Sequence, residues 1–108
     1  MQTVKQNFIS FGEHLRTLRT KMELPLREVA SHLGIDPSLL AKIERSERQP
    51  TKQLIKDVAN YFHVNEKELQ NEFLSDQIAY KIIDEEADLE ILKAAEQKVY
   101  YLKTHRNG

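Results

Sequence analysis

The chain has 108 residues, 31% charged and 40% hydrophobic, with 16 Lys and Arg against 17 Asp and Glu. These values describe one small globular protein and leave no room for a large catalytic cleft between domains. Because Cys is absent, disulfides, Cys-ligated zinc, iron–sulfur clusters and thiol nucleophiles are all excluded.

Two helices are predicted first, and the second is short. At residues 7–22 the apolar residues follow the spacing of one helix face, and they are Phe8, Phe11, Leu15, Leu18 and Met22. A second helix is predicted at residues 26–33. Pro25 suits its start because a first turn needs no proline N–H, and Gly34 suits its end because glycine adopts positive φ without strain.

Three more helix starts are predicted in the middle of the chain. Asp36 and Pro37 begin a helix at about residues 37–46 that turns Leu40 and Ile43 inward. Thr51 caps the next helix, whose apolar face consists of Leu54, Ile55, Val58, Ala59 and Phe62. Asn65 caps a further segment, whose acidic first turn suits the positive end of a helix dipole.

Two apolar series follow Phe73 and predict helices at residues 73–83 and 85–104. The acidic run Asp84–Glu86 lies between them and is predicted to cap the last helix. The chain shows no alternating strand pattern with hairpin turns. The predicted fold class is therefore all-α.

The segment Leu26–Ile43 has the residue types of a helix-turn-helix. Ala30 permits close helix crossing, Gly34 makes the turn, and the aliphatic residues Leu40 and Ile43 fix the second helix. The outer face of that helix is then free to enter a DNA major groove, which is about 12 Å wide. Its flanks fit as well, namely Phe11–Arg19, Lys42–Arg45, Pro50 and Phe62–Leu69. Over about residues 8–70 the chain resembles the XRE family of bacterial and phage regulators, the lambda repressor and Cro class.

This resemblance implies a five-helix lambda-repressor-like DNA-binding domain at residues 7–70, followed by a C-terminal helical extension at 71–108. It also implies a dimer that binds double-stranded DNA at a two-fold symmetric operator, through a recognition helix at residues 36–45. Arg19 and Glu44 fall where the family places a buried ion pair between the first helix and the recognition helix.

The DNA contacts are predicted from side-chain chemistry. Base contacts are expected from Ser38 and Lys42, which can hydrogen-bond base edges, and from Leu39, which can touch a thymine methyl group. Phosphate contacts are expected from a basic cluster, consisting of Arg27, Arg45, Arg48 and Lys52. Any one of these is equally well an ordinary solvated charge. Because so few side chains can read bases, DNA shape is expected to contribute to specificity.

The charge is divided unevenly along the chain. Residues 1–65 carry a net +3 and residues 66–108 a net −4, so a single domain is expected to bind non-specific DNA weakly and two domains to be needed. The extension carries an apolar stripe, consisting of Leu92, Ala95, Val99 and Leu102. This stripe is predicted to form a homodimer interface, and the alternative is that it folds back on the first domain.

The predicted function is that of a sequence-specific transcriptional regulator, most simply a repressor. Family relatives also include antitoxins and controllers of restriction-modification systems, which implies a toxin or restriction-modification component as a possible protein partner. A different class is a protein-interaction adaptor that uses the apolar side chains of Leu26, Pro37 and Leu39. No enzyme, cofactor or metal site is predicted, since the four His residues lack ligand spacing. Without a signal peptide or a membrane-spanning run, the predicted location is the cytoplasm.

Overall fold

The computed structural model describes residues 10–105. Residues 7–9 of the predicted first helix and first domain lie outside this range. The described part of the chain contains six α-helices and no strand, which confirms the predicted all-α fold class. They are α1 (Phe11–Lys21), α2 (Leu26–Leu33), α3 (Pro37–Glu44), α4 (Lys52–Phe62), α5 (Glu66–Asp84) and α6 (Glu90–His105). None of these helices between residues 10 and 105 is long and apolar enough to cross a membrane.

Polar side chains fix where four helices begin. Ser10 accepts a hydrogen bond from the backbone N–H of Glu13, and Thr51 accepts one from that of Leu54. Asp36 caps α3 in the same way, and Asn65 caps α5. Each side-chain oxygen satisfies an N–H group that has no partner within its helix, so the chain enters a helix at these positions.

Five helices end with one residue in the left-handed conformation. Gly34 has φ 72° after α2, where a residue without Cβ is unstrained. Four other residues adopt the same region, namely Glu23 with φ 55°, Ser46 with φ 64°, His63 with φ 58° and Glu86 with φ 53°. Residues with a side chain pay a conformational penalty there, so these four turns must be held by their surroundings.

One hydrophobic core lies under the first five helices. Its buried residues are Phe11, Leu15, Val29, Ala30, Leu33, Leu40, Ile43, Leu54, Ile55, Val58, Ala59, Phe62 and Leu69. Phe73 packs against this core from the middle of α5. The chain divides into two compact units, one ending at Asp76 and the other beginning at Gln77. The second unit contains α6, which buries no side chain.

The predicted helix boundaries need four corrections. The first helix begins at Phe11 rather than at residue 7, because Ser10 has an extended backbone and caps it. The helix predicted at residues 73–83 is not separate, because α5 runs unbroken through the polar residues at 70–72. The last helix begins at Glu90 rather than at residue 85, since Glu86 adopts positive φ and Asp88 accepts from the Glu90 N–H. The acidic run at residues 84–86 therefore ends α5 instead of capping α6. The third helix ends at Glu44, two residues before its predicted end.

Candidate nucleic-acid interface

The α2–turn–α3 segment is a helix-turn-helix. Ala30 is fully buried in α2, where its small side chain allows α3 to pack closely. The N–H of Ile35 donates to the carbonyl of Ala30 (3.0 Å) across the turn at Gly34. Leu40 and Ile43 are buried on the inner face of α3. These contacts hold α3 so that its opposite face lies at the surface.

The end of α3 lies against the start of α1 with no space for a side chain. A Cβ atom added to Gly12 would come within 2.4 Å of the carbonyl oxygen of Ile43 and 2.8 Å of that of Glu44. Beside this contact, the hydroxyl groups of Ser10 and Ser46 are 3.3 Å apart. Sequence reasoning missed Gly12 as a positioning residue. The only signal was a glycine inside a helical pattern, where glycine is otherwise unfavourable.

An ion pair joins the same two helices. The Arg19 Nε and Glu44 Oε2 atoms are 2.7 Å apart, and the second guanidinium nitrogen is 3.0 Å from Glu44 Oε1. A third nitrogen of Arg19 donates to the carbonyl of Leu24 (3.0 Å). The Glu44 hydrogen bond raises the pKa of Arg19, although burial opposes this. The side chains are only 14% and 4% exposed, so the pair is nearly shielded from water.

The outer face of α3 presents few polar groups. Ser38 and Lys42 are exposed, as direct contact with bases requires. Leu39 is half-buried and packs against the core, which leaves only part of its side chain for a thymine methyl group. Pro37 and Ala41 are also half-buried. The structure therefore brings two hydrogen-bonding side chains and one partial apolar contact to this face.

The predicted phosphate contacts differ in their surroundings. Arg27, Arg48 and Lys52 are exposed and make no salt bridge with any residue between 10 and 105. Arg45 is also exposed, but its guanidinium donates two hydrogen bonds to Glu47 (2.9 and 3.1 Å). The first three therefore offer uncompensated positive charge, whereas the charge of Arg45 is already opposed.

The start of α2 differs from that of the other helices around the motif. Pro25 precedes α2 and provides no side-chain hydrogen bond, whereas Ser10, Asp36 and Thr51 each cap their helix. The first N–H groups of α2 are thus open to an outside acceptor, and the dipole favours an anion. Arg27 lies in this first turn. An anion at this position would meet both backbone donors and a guanidinium group.

Comparisons with known proteins agree with this geometry. The model of the family described as "Helix-turn-helix domain" matches residues 10–71, more than half of the chain. The chain belongs to the helix-turn-helix domain family. Residues 10–71 therefore form a DNA-binding helix-turn-helix domain of the kind found in transcription regulators. A search of the curated proteins found no significant match.

Three solved structures share the fold of the helix-turn-helix domain. The restriction-modification controller protein C.AhdI from Aeromonas hydrophila is 30% identical, with TM-score 0.52, over 59% of this chain and 97% of that chain. Two structures of the clp gene regulator ClgR from Corynebacterium glutamicum are 22% and 19% identical. The first covers 63% of this chain and 88% of that chain with TM-score 0.53. The second covers 90% and 92% with TM-score 0.54.

Two polar contacts that the sequence did not predict tie the helix-turn-helix domain to α5. Asp76 accepts a hydrogen bond from the N–H of Phe11 (2.9 Å) at the start of α1, and His14 lies 2.8 Å from Glu72. Burial raises the pKa of both carboxyl groups, although each pKa is lowered in part by its hydrogen bond. No short sequence motif predicts these contacts, because the partners are 65 residues apart for Phe11 and Asp76 and 58 residues apart for His14 and Glu72.

The predicted dimer stripe lies on the surface of α6. Leu92, Val99 and Leu102 are 45%, 53% and 59% exposed, and Ala95 is exposed too. They occur at intervals of three and four residues, so they share one side of the helix. No other part of the second unit buries them. This stripe is therefore available to a partner.

Proposed function

We propose that the protein is a transcriptional regulator, most simply a repressor, that binds a two-fold symmetric DNA operator as a homodimer. The observation that carries this proposal is the fixed presentation of α3. Gly12, Arg19 and Glu44 hold its end against α1, while Ser38 and Lys42 stay exposed. An α-helix held in this way can enter a major groove as a rigid body.

Each predicted contact has a separate task on the DNA. Ser38 and Lys42 hydrogen-bond base edges, and the exposed part of Leu39 meets a thymine methyl group. Arg27 and the open start of α2 bind a phosphate, while Arg45, Arg48 and Lys52 bind others. Phosphate contacts fix position and base contacts give specificity. Because base contacts are few, sequence-dependent DNA shape supplies part of the specificity.

The α6 stripe supports the homodimer. A helix of 16 residues with no buried side chain gains little stability from local hydrogen bonds alone. Two bound domains would place their α3 helices in major grooves about 34 Å apart.

Control of a restriction-modification system is the more specific version of this function. It is favoured by the 30% identity to the controller protein C.AhdI and by the coverage of 97% of that chain. The adaptor alternative has less support. Leu26 and Leu39 pack against the core, so the apolar patch that an adaptor would need is largely used within the domain.

The DNA proposal is tested by titrating salt. The full chain should bind one fragment of the DNA around its own gene more tightly than random duplex, and both affinities should fall steeply with salt because phosphate binding releases counterions. Lys52→Ala should weaken both complexes alike and reduce the salt slope by about 1. If no fragment competes better than random duplex, sequence-specific regulation is wrong.

The dimer proposal needs a substitution within the stripe. Val99→Glu places a charge in the proposed interface, so sedimentation should detect monomers at concentrations where the wild type is dimeric. Gln97→Glu lies on the opposite side of α6 and adds the same charge, which makes it the matched control. Dimers that survive Val99→Glu would refute the α6 interface.

A further inference from the structure

The turn that follows the recognition helix brings an acidic side chain back toward it. Ser46 adopts φ 64°, and the N–H of Glu47 then donates to the carbonyl of Lys42 (2.8 Å). The close contact at Gly12 and the hydroxyl pair of Ser10 and Ser46 hold this turn against α1. Glu47 is therefore fixed in its backbone position relative to α3.

The Glu47 carboxylate pairs with one of the proposed DNA contacts, Arg45. It accepts from Arg45 Nε and from a second guanidinium nitrogen, at 2.9 and 3.1 Å. The hydrogen bond from Arg45 lowers the pKa of Glu47, and the charges of Arg45 and Lys42 lower it further. The two side chains are 55% and 54% exposed, and ion pairs this exposed contribute little to stability. Stability alone therefore does not explain an acid at the edge of a DNA-binding face.

We infer that Glu47 is a positioning residue for Arg45. It fixes the Arg45 side chain, and it neutralises the charge of that side chain toward DNA except where a phosphate lies within reach of the free guanidinium donors. This inference rests on the proposed function. A guanidinium group has five N–H donors, of which Glu47 occupies two. The remaining three are held in one orientation. Only a phosphate oxygen that reaches them is bound, and any other phosphate meets an ion pair with no net charge.

Glu47 should therefore affect specificity more than affinity. On random duplex, where protein and phosphates adopt many registers, Arg45 contributes little and the carboxylate repels the backbone. On the operator, the fixed register brings a phosphate to the open donors of Arg45. Glu47 thus suppresses non-specific binding at the one basic residue of the cluster that it touches.

A salt titration on random-sequence duplex tests this inference directly. Glu47→Gln should bind this duplex about 3-fold more tightly at low salt. Its slope of log K against log salt should be steeper by about 0.9, because Arg45 then neutralises one more phosphate. Arg45→Gln should leave the wild-type slope unchanged, but in the Glu47→Gln background it should remove the gain. Glu23→Gln is the matched control, since it changes net charge equally at an exposed carboxylate without a salt bridge among residues 10–105.

The possible outcomes separate this inference from the proposed function. If wild type binds DNA with a salt dependence but Glu47→Gln behaves like Glu23→Gln, the role of Glu47 is wrong and the regulator proposal stands. The same conclusion follows if Arg45→Gln flattens the slope equally in both backgrounds. If no variant binds DNA in a salt-dependent way, both proposals are overturned. A merely structural role of Glu47 would change unfolding and leave these slopes alone.

Discussion

The two compact units of the chain use their apolar residues in opposite ways. Between residue 10 and Asp76, the first unit buries thirteen hydrophobic side chains in one core. In the unit that begins at Gln77, α6 buries none, and its aliphatic and tyrosine side chains face solvent. Burial of apolar surface is the main source of folding free energy. The first unit therefore has its own source of folding free energy, whereas the apolar side chains of α6 stay exposed.

Because of this difference, the same kind of substitution should have different effects in the two units. In the first unit, a lost contact reduces the free energy of unfolding and disturbs the position of α3. In the second unit, under the proposed dimer, a lost apolar side chain should change association and leave the fold of the first unit intact.

Arg19→Met should be the most destabilising change. It leaves Glu44 buried at 4% exposure without its partner, which costs about 3–5 kcal/mol of unfolding free energy. Chemical denaturation of both proteins measures the loss. Arg45→Met removes an exposed pair at the same end of α3 and should leave the denaturation midpoint almost unchanged. Equal losses of unfolding free energy in the two variants would show that burial of the Arg19 pair does not determine its contribution to stability.

Leu40→Ala should be nearly as costly. Leu40 is fully buried, so its truncation should lower the free energy of unfolding by about 2–5 kcal/mol through lost transfer energy and a cavity. Leu102→Ala, on the exposed stripe of α6, should leave unfolding of dilute protein unchanged and weaken association in sedimentation. A Leu102→Ala variant that unfolds as easily as Leu40→Ala would place α6 in the core and contradict the comparison.

Gly12→Ala should cost about 1–3 kcal/mol, because the added methyl group overpacks the contact between α1 and α3. The obstacle consists of the backbone carbonyls of Ile43 and Glu44, which cannot rotate away. Gly34→Ala provides a contrast, since nothing lies within 4 Å of its Cβ position and only its φ of 72° is unfavourable. DNA binding should weaken more in Gly12→Ala than in Gly34→Ala at equal fractions folded. The opposite ranking would argue against Gly12 as a positioning residue.

Glycine should stabilise the left-handed turn after α1. Glu23 has φ 55°, and Glu23→Gly should raise the free energy of unfolding by about 0.5–1 kcal/mol by removing strain. Glu86 has the same conformation in the second unit, but Glu86→Gly should not change the unfolding of the first unit. Thermal denaturation of both variants tests this. A stabilising effect of Glu86→Gly as large as that of Glu23→Gly would mean that the units unfold together.

Asp76→Asn should change how stability depends on pH. Burial raises the pKa of Asp76 above its ordinary value of 3.8, so the folded state favours the protonated carboxyl group. The stability that this protonated form contributes is present below pH 3.8 and is lost as pH rises through the folded pKa. Asparagine keeps an oxygen for the N–H of Phe11 and carries no charge. The variant should therefore gain stability relative to wild type as pH rises from 4 toward 7. A difference that does not change with pH would contradict this assignment.

Local patterns predicted most of the first unit. The caps at Asp36, Thr51 and Asn65 follow from side-chain chemistry, and the buried faces of α2, α3 and α4 follow from apolar spacing. The cap at Ser10 was not predicted, since the apolar spacing ran the first helix through it. The boundary of α6 was missed because several acidic residues suit a helix start, and the turn at Glu86 is set by backbone hydrogen bonds that spacing does not reveal. The contacts at Gly12 and Asp76 join distant parts of the chain, so only the folded arrangement shows them.

The most direct test compares the full wild-type chain with its Lys42→Ala variant. The quantity measured is the ratio of the affinity for the best-bound genomic fragment to the affinity for random duplex. We expect Lys42→Ala to lower the ratio of the two affinities by about 5-fold or more, because a lost base contact affects only the specific complex. The same variant should leave the affinity for random duplex nearly unchanged. An equal loss of both affinities would contradict the claim that α3 reads DNA bases.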